Sequence, residues 1–420
     1  MPRYQRPTGT QDVLPEDQPY WYHVRDRARR LAELAGFERI DVPIFEATEL
    51  FARGVGEGTD IVDKEMYSFT DRGGHKLTLR PEFTAGIVRA YIENGMRVLP
   101  QPVKLYSFGP TFRYDRPQAG RYRQFTQFNV EILGEQHPAA DLEVMLLVWD
   151  LYAGMGFRDL AFQLNSTGCP SCKPGYVAVL EDYYAGHRDE ICPDCRRRLE
   201  RNPLRVLDCK AEQCQPIIAA APHILDYLCA ECTEHFATLR EYLDLLGRSY
   251  TINHNLVRGL DYYTKTVFEV WAAGIGAQAA VCGGGRYDGL AELLGGPPTP
   301  GVGFGAGLER IILVMKDLGV DVPPLLSPPV FLAHLGPLAG REALRLADML
   351  RRTGVGTWVA FGERGLRSQL REAGKRGARY AVILGEDELA AGTATVRDMQ
   401  AGEQVSVALA ELVEWLKARV

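Results

Sequence analysis

Between Arg113 and Arg123 the chain carries four arginines and one acid, and Pro117 and Gly120 turn it back between two apolar stretches. Such a hairpin loop sets guanidinium forks beside a sheet, and each fork matches phosphate oxygens two at a time. A triphosphate or an RNA backbone is the natural ligand, with a solvated charged turn as the plain alternative. Arg258-Gly259-Leu260-Asp261-Tyr262-Tyr263 gathers another cation, an acid and two phenols just before a strand, although paired tyrosines also serve as core or rim residues. Cys282-Gly283-Gly284-Gly285-Arg286-Tyr287-Asp288-Gly289 drops the side chain at three successive positions, so a backbone can approach a substrate closely there, or simply turn tightly. The run Gly301-Val302-Gly303-Phe304-Gly305-Ala306-Gly307-Leu308-Glu309-Arg310 reads as a glycine-rich strand entering a helix. No parallel βαβ unit precedes it and no partner acid follows at the right distance, which excludes a dinucleotide fold.

Eight of the nine cysteines lie between Cys169 and Cys232, a local device and not a chain-wide disulfide framework. Cys169-Pro170-Ser171-Cys172 and Cys192-Pro193-Asp194-Cys195 have the two-pair spacing of a structural zinc site, so Cys169, Cys172, Cys192 and Cys195 are the expected ligands. Cys209, Cys214, Cys229 and Cys232 could form a second site. Near the C-terminus Arg364, Arg367, Arg371 and Lys375 recur at helical spacing, as a basic stripe facing RNA or as a solvated face.

The elements that would hold these residues follow from periodicity. Trp21, Val24, Ala28, Leu31 and Leu34 mark a helix ended by Gly36, and a strand is expected over Arg39–Ile44. Further strands read at Lys76–Leu79, Val103–Phe108, Gln124–Leu133 and Val267–Trp271, separated by glycine or proline turns, which suggests a largely antiparallel sheet. From about Ser166 to Tyr250 strand signals give way to helical periodicity at Leu225, Leu228, Phe236, Leu239, Leu243 and Leu246, and strands resume at Leu256. The first domain is therefore expected in two parts, 1–165 and 253–322, around a helical, cysteine-rich insertion at 166–252. A proline-rich linker at 323–329 leads to an α/β module at 330–420, with strands at Val330–Ala333, Thr357–Ala360 and Tyr380–Leu384 and helices at Arg341–Arg352 and Leu366–Ala373.

With 420 residues, 46% hydrophobic and 24% charged, the chain has the make-up of a folded protein of two or three domains. No apolar run is long enough for a bilayer, and the opening Met1-Pro2-Arg3-Tyr4-Gln5-Arg6 leads into polar sequence, so a soluble cytoplasmic protein is expected. A net charge of −6 argues against indiscriminate coating of nucleic acid, while a local basic surface can still bind RNA.

Taken in order, these segments resemble the three signature motifs of class II aminoacyl-tRNA synthetases, and specifically the histidyl-tRNA synthetase family. The first motif is the helix and strand leading to Asp41-Val42-Pro43-Ile44-Phe45-Glu46, the second the arginine hairpin from Phe112 to Glu131, and the third the segment ending at Arg310. Leu79-Arg80-Pro81-Glu82-Phe83-Thr84-Ala85, Leu256 to Thr264 and Gly283 to Leu290 are similar to stretches of the histidyl branch, so the likeness spans nearly the whole chain. Phe83 and Thr126 depart from the family pattern. The resemblance implies an α+β fold: an antiparallel-sheet catalytic domain with a helical insertion, plus a C-terminal α/β anticodon-binding domain. It implies a homodimeric ligase that activates L-histidine with ATP and Mg2+ and transfers it to tRNA(His). Any zinc held by the cysteines would brace the insertion, which many members of the family keep without them. Arg113 and Arg258 would contact the α-phosphate and the substrate carboxylate, and Arg121 and Arg310 the outer phosphates. Asp115 would also serve ATP, and Phe125 would stack on adenine against Arg310. Glu82, Thr84 and Gln127 would take the α-amino group, Glu131 and Tyr263 the imidazole, and Tyr262 would also bind the histidine. Two rivals stand beside this reading: a catalytically silent regulatory relative, disfavoured by the Arg258 stretch and the C-terminal module, and a ligase for another amino acid.

Overall fold

The computed structural model describes residues 4–56, 59–118, 120–272 and 280–420; Met1-Pro2-Arg3 and Ala119 of the arginine loop lie outside the described residues. The chain divides into two compact units between Pro323 and Pro324. No helix of the described residues is long and apolar enough to cross a membrane.

The first unit is built on strands β1 (Glu38–Arg39), β2 (Phe45–Ala47), β3 (Tyr67–Thr70), β4 (Lys76–Leu79), β5 (Val103–Phe112), β6 (Gln124–Leu133), β7 (Ala161–Ser166), β8 (Tyr250–Ile252), β9 (Thr264–Trp271), β10 (Ala280–Arg286) and β11 (Gly301–Gly307). Eight of them form one sheet in the order β1-β5-β6-β11-β10-β9-β7-β8, antiparallel throughout its middle and parallel only at the two end pairs. Alternation decides what each face does. On β6, Phe128, Val130 and Ile132 enter the main core with Val302, Phe304 and Ala306 of β11, against the helices Gln18–Leu34, Pro138–Gly154 and Leu308–Asp317. The opposite face presents Gln127, Asn129 and Glu131, aligned with Gly307, Gly305 and Gly303 of β11. Gly283 and Gly285 of β10 continue that row, and Glu269 and Val267 of β9 complete it.

The helix Gln18–Leu34 buries Trp21, Val24, Ala28 and Ala32, while Leu34 falls off that stripe and stays 86% exposed. The strand expected over Arg39–Ile44 is cut short: pairing ends at Arg39, apart from the Ile40 N–H on the Tyr106 carbonyl. Pro43 has no N–H to give, and the buried Arg80 guanidinium takes the carbonyls of Val42 (2.8 Å) and Pro43 (3.2 Å) instead of a neighbouring strand. Strand structure also resumes earlier than Leu256, in β8, a triplet too short to display a period. The segment between β7 and β8 is helical, with a small core of its own around Tyr176, Leu180, Ile191, Val206 and Ile217.

In the second unit Val330–His334 lies between the parallel strands Thr357–Val359 and Tyr380–Leu384. Thr393–Asp398 and Gln404–Ala408 extend the sheet antiparallel, and the helices Pro337–Arg352 and Leu366–Lys375 accompany it.

One buried ionic knot ties the helix Pro138–Gly154, β10 and the insertion helix Ala230–Leu245 together. Arg286 is fully buried and grips Asp141 through Nε and Nη2, while its Nη1 donates to the Glu135 carbonyl at 2.8 Å. His235 of the insertion helix meets the same carboxylate at 3.4 Å. Burial alone would raise the Asp141 carboxyl, but the Arg286 charge and the hydrogen bonds from His235 and Arg286 outweigh it and hold it at about 2. Asp141→Ala strips the buried Arg286 of its main carboxylate partner, leaving Asp288 at 3.2 Å, and is expected to cost about 3–5 kcal/mol in urea denaturation at neutral pH. A depressed folded pKa means this stabilisation is full above the ordinary 3.8 and fades as pH falls toward 2. Asp141→Asn should remove that part of the acid slope.

Candidate active site

The glycine-lined face of the sheet floors a cavity of about 90 Å³, lined by Glu82, Thr84, Arg113, Gln127, Asn129, Arg258, Leu260, Tyr262, Tyr263, Tyr287 and the glycines at 283, 303 and 305. It brings together segments more than a hundred residues apart in sequence. A broader depression of about 670 Å³ lies among Gln5–Asp12, Pro117, Gln118 and Tyr122, and it has none of this convergence of buried charge.

Arg258 reaches over β10 to Glu269, its Nη1 2.5 Å from Oε1, and the indole N–H of Trp271 holds the other carboxylate oxygen at 3.0 Å. The guanidinium occupies the space where Gly283 has no side chain: a Cβ there would stand 2.3 Å from Nη2. Arg113 comes from the end of β5, fixed by its Nε on the Pro81 carbonyl at 2.9 Å. Burial lowers its pKa against the pull of Glu65 and Glu82, and Arg258 adds a like-charge push, so two cations face one cavity. Arginine remains charged in such a setting.

The acids sit opposite. The buried Glu82 carboxylate caps the helix Thr84–Glu93, accepting from the backbone N–H groups of Thr84 (2.5 Å) and Ala85 (3.0 Å). Glu131 is fully buried and does not itself line the cavity. It lies directly behind the wall, accepting from Thr84 Oγ1 (2.6 Å), Asn129 Nδ2 (2.6 Å) and the Tyr287 hydroxyl (2.5 Å). Burial pushes its pKa up to about 8 against those donors. Tyr262 and Tyr263 pack at 4.8 Å between ring centroids, and burial raises both phenols. Gln127 Oε1 and Arg258 Nε are buried without a partner among the described residues, as polar atoms are when a ligand completes their bonding.

The arginine loop lies beside this pocket. Asp115 pairs with Arg121 at 2.5 Å, and Arg121 remains 57% exposed, outside the cavity. Arg113 stands 5.6 Å from the centroid of Phe125. Arg310 opens the helix Leu308–Asp317, with its Cγ 3.9 Å from where a Cβ on Gly120 would be, so the loop tip folds toward it. Glu309, from the same turn, accepts the Thr126 N–H at 2.8 Å. Asp115, Arg121, Phe125 and Arg310 thus form a rim, and none of them lines the inner cavity. Phe83, the departure next to Glu82, is buried under the Arg80 guanidinium at 4.0 Å, and Thr126 contributes its backbone.

Sequence reasoning left out Asn129, Tyr287 and Glu269 as site residues. Alternation on β6 puts Asn129 between Gln127 and Glu131, and an acid inside the apolar run of β9 signals a partner, so two of the three were readable. The contact of Tyr287 with Glu131 depends on the fold.

A family profile described as histidyl-tRNA synthetase matches residues 9–169 and 203–311, and one described as an anticodon binding domain matches 330–419. A histidine–tRNA ligase of Dehalococcoides mccartyi is 51% identical over 417 residues, covering 99% of this chain and 100% of that protein. One of Pelotomaculum thermopropionicum is 52% identical over 415 residues, with 99% and 98% covered. The solved apo histidyl-tRNA synthetase of S. aureus superposes with a TM-score of 0.83 at 37% identity, covering 99% of this chain and 100% of that one. The chain belongs to the histidyl-tRNA synthetase family. Its activity is that of a histidine–tRNA ligase, with a class II catalytic domain on a mixed, largely antiparallel sheet and a C-terminal anticodon-binding α/β domain.

The cysteines of this synthetase pair differently from the sequence expectation. Cys169 and Cys172 cluster with Cys229 and Cys232, and Cys192 and Cys195 with Cys209 and Cys214. The four expected ligands therefore fall in two separate sites. The reason is topological: Cys229 and Cys232 open the helix Ala230–Leu245, which returns to the neck of the insertion where Cys169 and Cys172 lie. On the basic helix Arg367, Arg371 and Lys375 are exposed, but Arg364 pairs with Glu372 at 2.7 Å, which shortens the stripe.

Gly283→Ala puts a methyl group where the Arg258 guanidinium lies, and the far end of a long side chain yields more easily than a strand. The variant is expected to keep a near-normal melting transition while losing histidine-dependent pyrophosphate exchange about a hundredfold. Unchanged exchange would show that Arg258 does not need this position.

Proposed function

We propose that catalysis runs in two steps over the glycine-floored face. In the first, an oxygen of the L-histidine carboxylate attacks the α-phosphorus of ATP, supplied with Mg2+, and the bond to pyrophosphate breaks. In the second, the 3′-terminal adenosine hydroxyl of tRNA(His) attacks the histidyl carbonyl, releases AMP and leaves histidyl-tRNA.

Arg113 and Arg258 are the residues for the α-phosphate and the attacking carboxylate. Their fixed guanidinium groups are in place before charge builds on the phosphate oxygens, so little reorganisation is needed in the transition state. Arg121, Arg310 and Asp115 would handle the outer phosphates and metal-bound ATP at the rim, with adenine stacked between Phe125 and Arg310. Glu82, Thr84 and Gln127 would receive the α-ammonium group, Gln127 with its partnerless carbonyl oxygen. Tyr262 and Tyr263 would address the imidazole, with Glu131 acting on it from behind the wall through the Thr84 and Tyr287 hydroxyls; the ring has a donor and an acceptor that an apolar side chain cannot imitate. What carries this reading is the meeting of Arg113 and Arg258 with the buried Glu82 in one small cavity that still holds partnerless polar atoms.

Beyond the pocket, the exposed Arg367, Arg371 and Lys375 suit the phosphates of an anticodon stem, a homodimer is the expected assembly and the cytoplasm the expected place. Each tetracysteine cluster suits one structural zinc ion.

Labelled pyrophosphate should exchange into ATP with histidine and with no other amino acid; exchange with a different one, or none, overturns the assignment. Arg258→Ala should leave ATP binding measurable while slowing adenylate formation by orders of magnitude, and a near-normal single-turnover rate would remove its role. Glu131→Gln is expected to raise KM for histidine at least about tenfold, with a smaller effect on kcat.

A further inference from the structure

We propose that Cys192, Cys195, Cys209 and Cys214 bind a zinc ion that holds an arginine block of the insertion latched against the rim of the histidine pocket. This rests on the synthetase reading above and gives the second cysteine cluster a part in it.

The cluster has the dimensions of one metal ion. Its sulfurs lie within 4.8 Å of one another, with Cys192 Sγ 3.8 Å from Cys209 Sγ and Cys214 Sγ 3.9 Å from Cys195 Sγ. A tetrahedron of thiolates about 2.3 Å from zinc has edges of about 3.8 Å. Backbone N–H groups already point at these sulfurs: Cys192 at Cys214 Sγ (3.2 Å), Cys195 at Cys192 Sγ (3.4 Å) and Ala211 at Cys209 Sγ (3.4 Å). Such donors accompany bound thiolates and orient them. All four thiols are free of disulfides, and three of them sit in the small core of the insertion, whose local helices here, Pro193–Leu199 and Gln215–Ala219, are short. A piece this small needs a staple.

The stretch between the second and third ligands carries the latch. Arg205 reaches Asp60 at 3.2 Å, Arg198 reaches the same carboxylate at 3.7 Å, and Arg201 reaches Asp63 at 2.8 Å. Asn202 donates to Asp261 at 2.9 Å, immediately before Tyr262 and Tyr263 of the pocket. Asp60 precedes and Asp63 lies within the helical turn Ile61–Glu65. Ile61 packs in a cluster with Phe51, Val55 and Ala85 that Leu260 of the cavity wall also joins. The Glu65 carbonyl accepts the Tyr114 N–H at 2.7 Å, next to Arg113. Single ion pairs at a partly exposed site contribute little. Three arginines held in a metal-fixed loop lose less freedom when they pair, so together they can keep this wall closed.

Full-length protein purified without chelator should contain two zinc ions per chain by mass spectrometry, and Cys209→Ser with Cys214→Ser should retain one. That variant should be cut by trypsin between residues 196 and 205 about tenfold faster than wild type. Its KM for histidine in pyrophosphate exchange should rise about fivefold with kcat little changed. Asp60→Asn with Asp63→Asn, which leaves every thiol intact, should keep both zinc ions and show the same KM and trypsin changes. Iron in place of zinc, no loss of zinc in Cys209→Ser with Cys214→Ser, unchanged trypsin cleavage after loss of that zinc, or an unchanged KM in the aspartate pair would each overturn the latch. Absence of histidine-dependent exchange in the wild type would instead strike the synthetase reading, while the zinc content and trypsin arms would still test the latch.

Discussion

A sheet can bury charged side chains on its own face only where the neighbouring strands give up theirs, and this is the constraint on which the pocket depends. A Cβ on Gly303 would lie 1.8 Å from a Glu131 carboxylate oxygen, and one on Gly283 2.3 Å from the Arg258 guanidinium. At Gly285 it would approach the Tyr263 ring to 2.9 Å, and at Gly305 the Gln127 amide to 3.2 Å. The same strand keeps Val302, Phe304 and Ala306 on its other face, inside the main core. The alternation of glycine with apolar residues along β11 thus records two demands at once: a packed interior behind and vacant volume in front.

That volume is lined by charged and polar groups, and the balance of its charges explains why the arrangement holds. Arg258 leans on Glu269 and Trp271, Arg113 on the Pro81 carbonyl with Glu65 and Glu82 nearby, and Glu82 on a helix N-terminus. Each group is fixed by something behind it and leaves its other side toward the cavity. Fixed dipoles and charges of this kind stabilise charge that develops on a substrate without rearranging first. The buried Asp141–Arg286 pair is the counterpart away from the site. It does not line the site's cavity, and with His235 it joins the insertion to the catalytic sheet.

Much of this was legible in the chain. The limits of β4 and β6 were readable from alternating and apolar runs set between glycine or proline turns. The arginine loop, the Arg258 stretch and the glycine run are local signals whose chemistry is carried by residue type. Less legible was whatever depended on a partner distant in sequence. The expected strand over Arg39–Ile44 ended early because Arg80, some forty residues on, claims its carbonyls. Arg364 sits on a basic stripe in sequence and beside Glu372 in space. Tyr287 contacts Glu131 across 156 positions, and no periodicity encodes that.

The cysteines show where the division falls. Residue types and the two-residue spacing of Cys169 with Cys172 and of Cys192 with Cys195 determined that thiol pairs would present themselves for a metal, since that spacing acts within a single turn. Which pair joins which was decided by the path of the helix Ala230–Leu245 back to the neck of the insertion, a matter of packing between segments about sixty positions apart. The pocket divides in the same way. Backbone sterics and alternation, acting between adjacent residues, determined its glycine strands and its chemical groups. Only the closing of the eight-stranded sheet brought Arg113, Arg258, Glu82 and Tyr263 around one cavity, because the burial that drives that closure acts on the whole surface and not on any stretch of it.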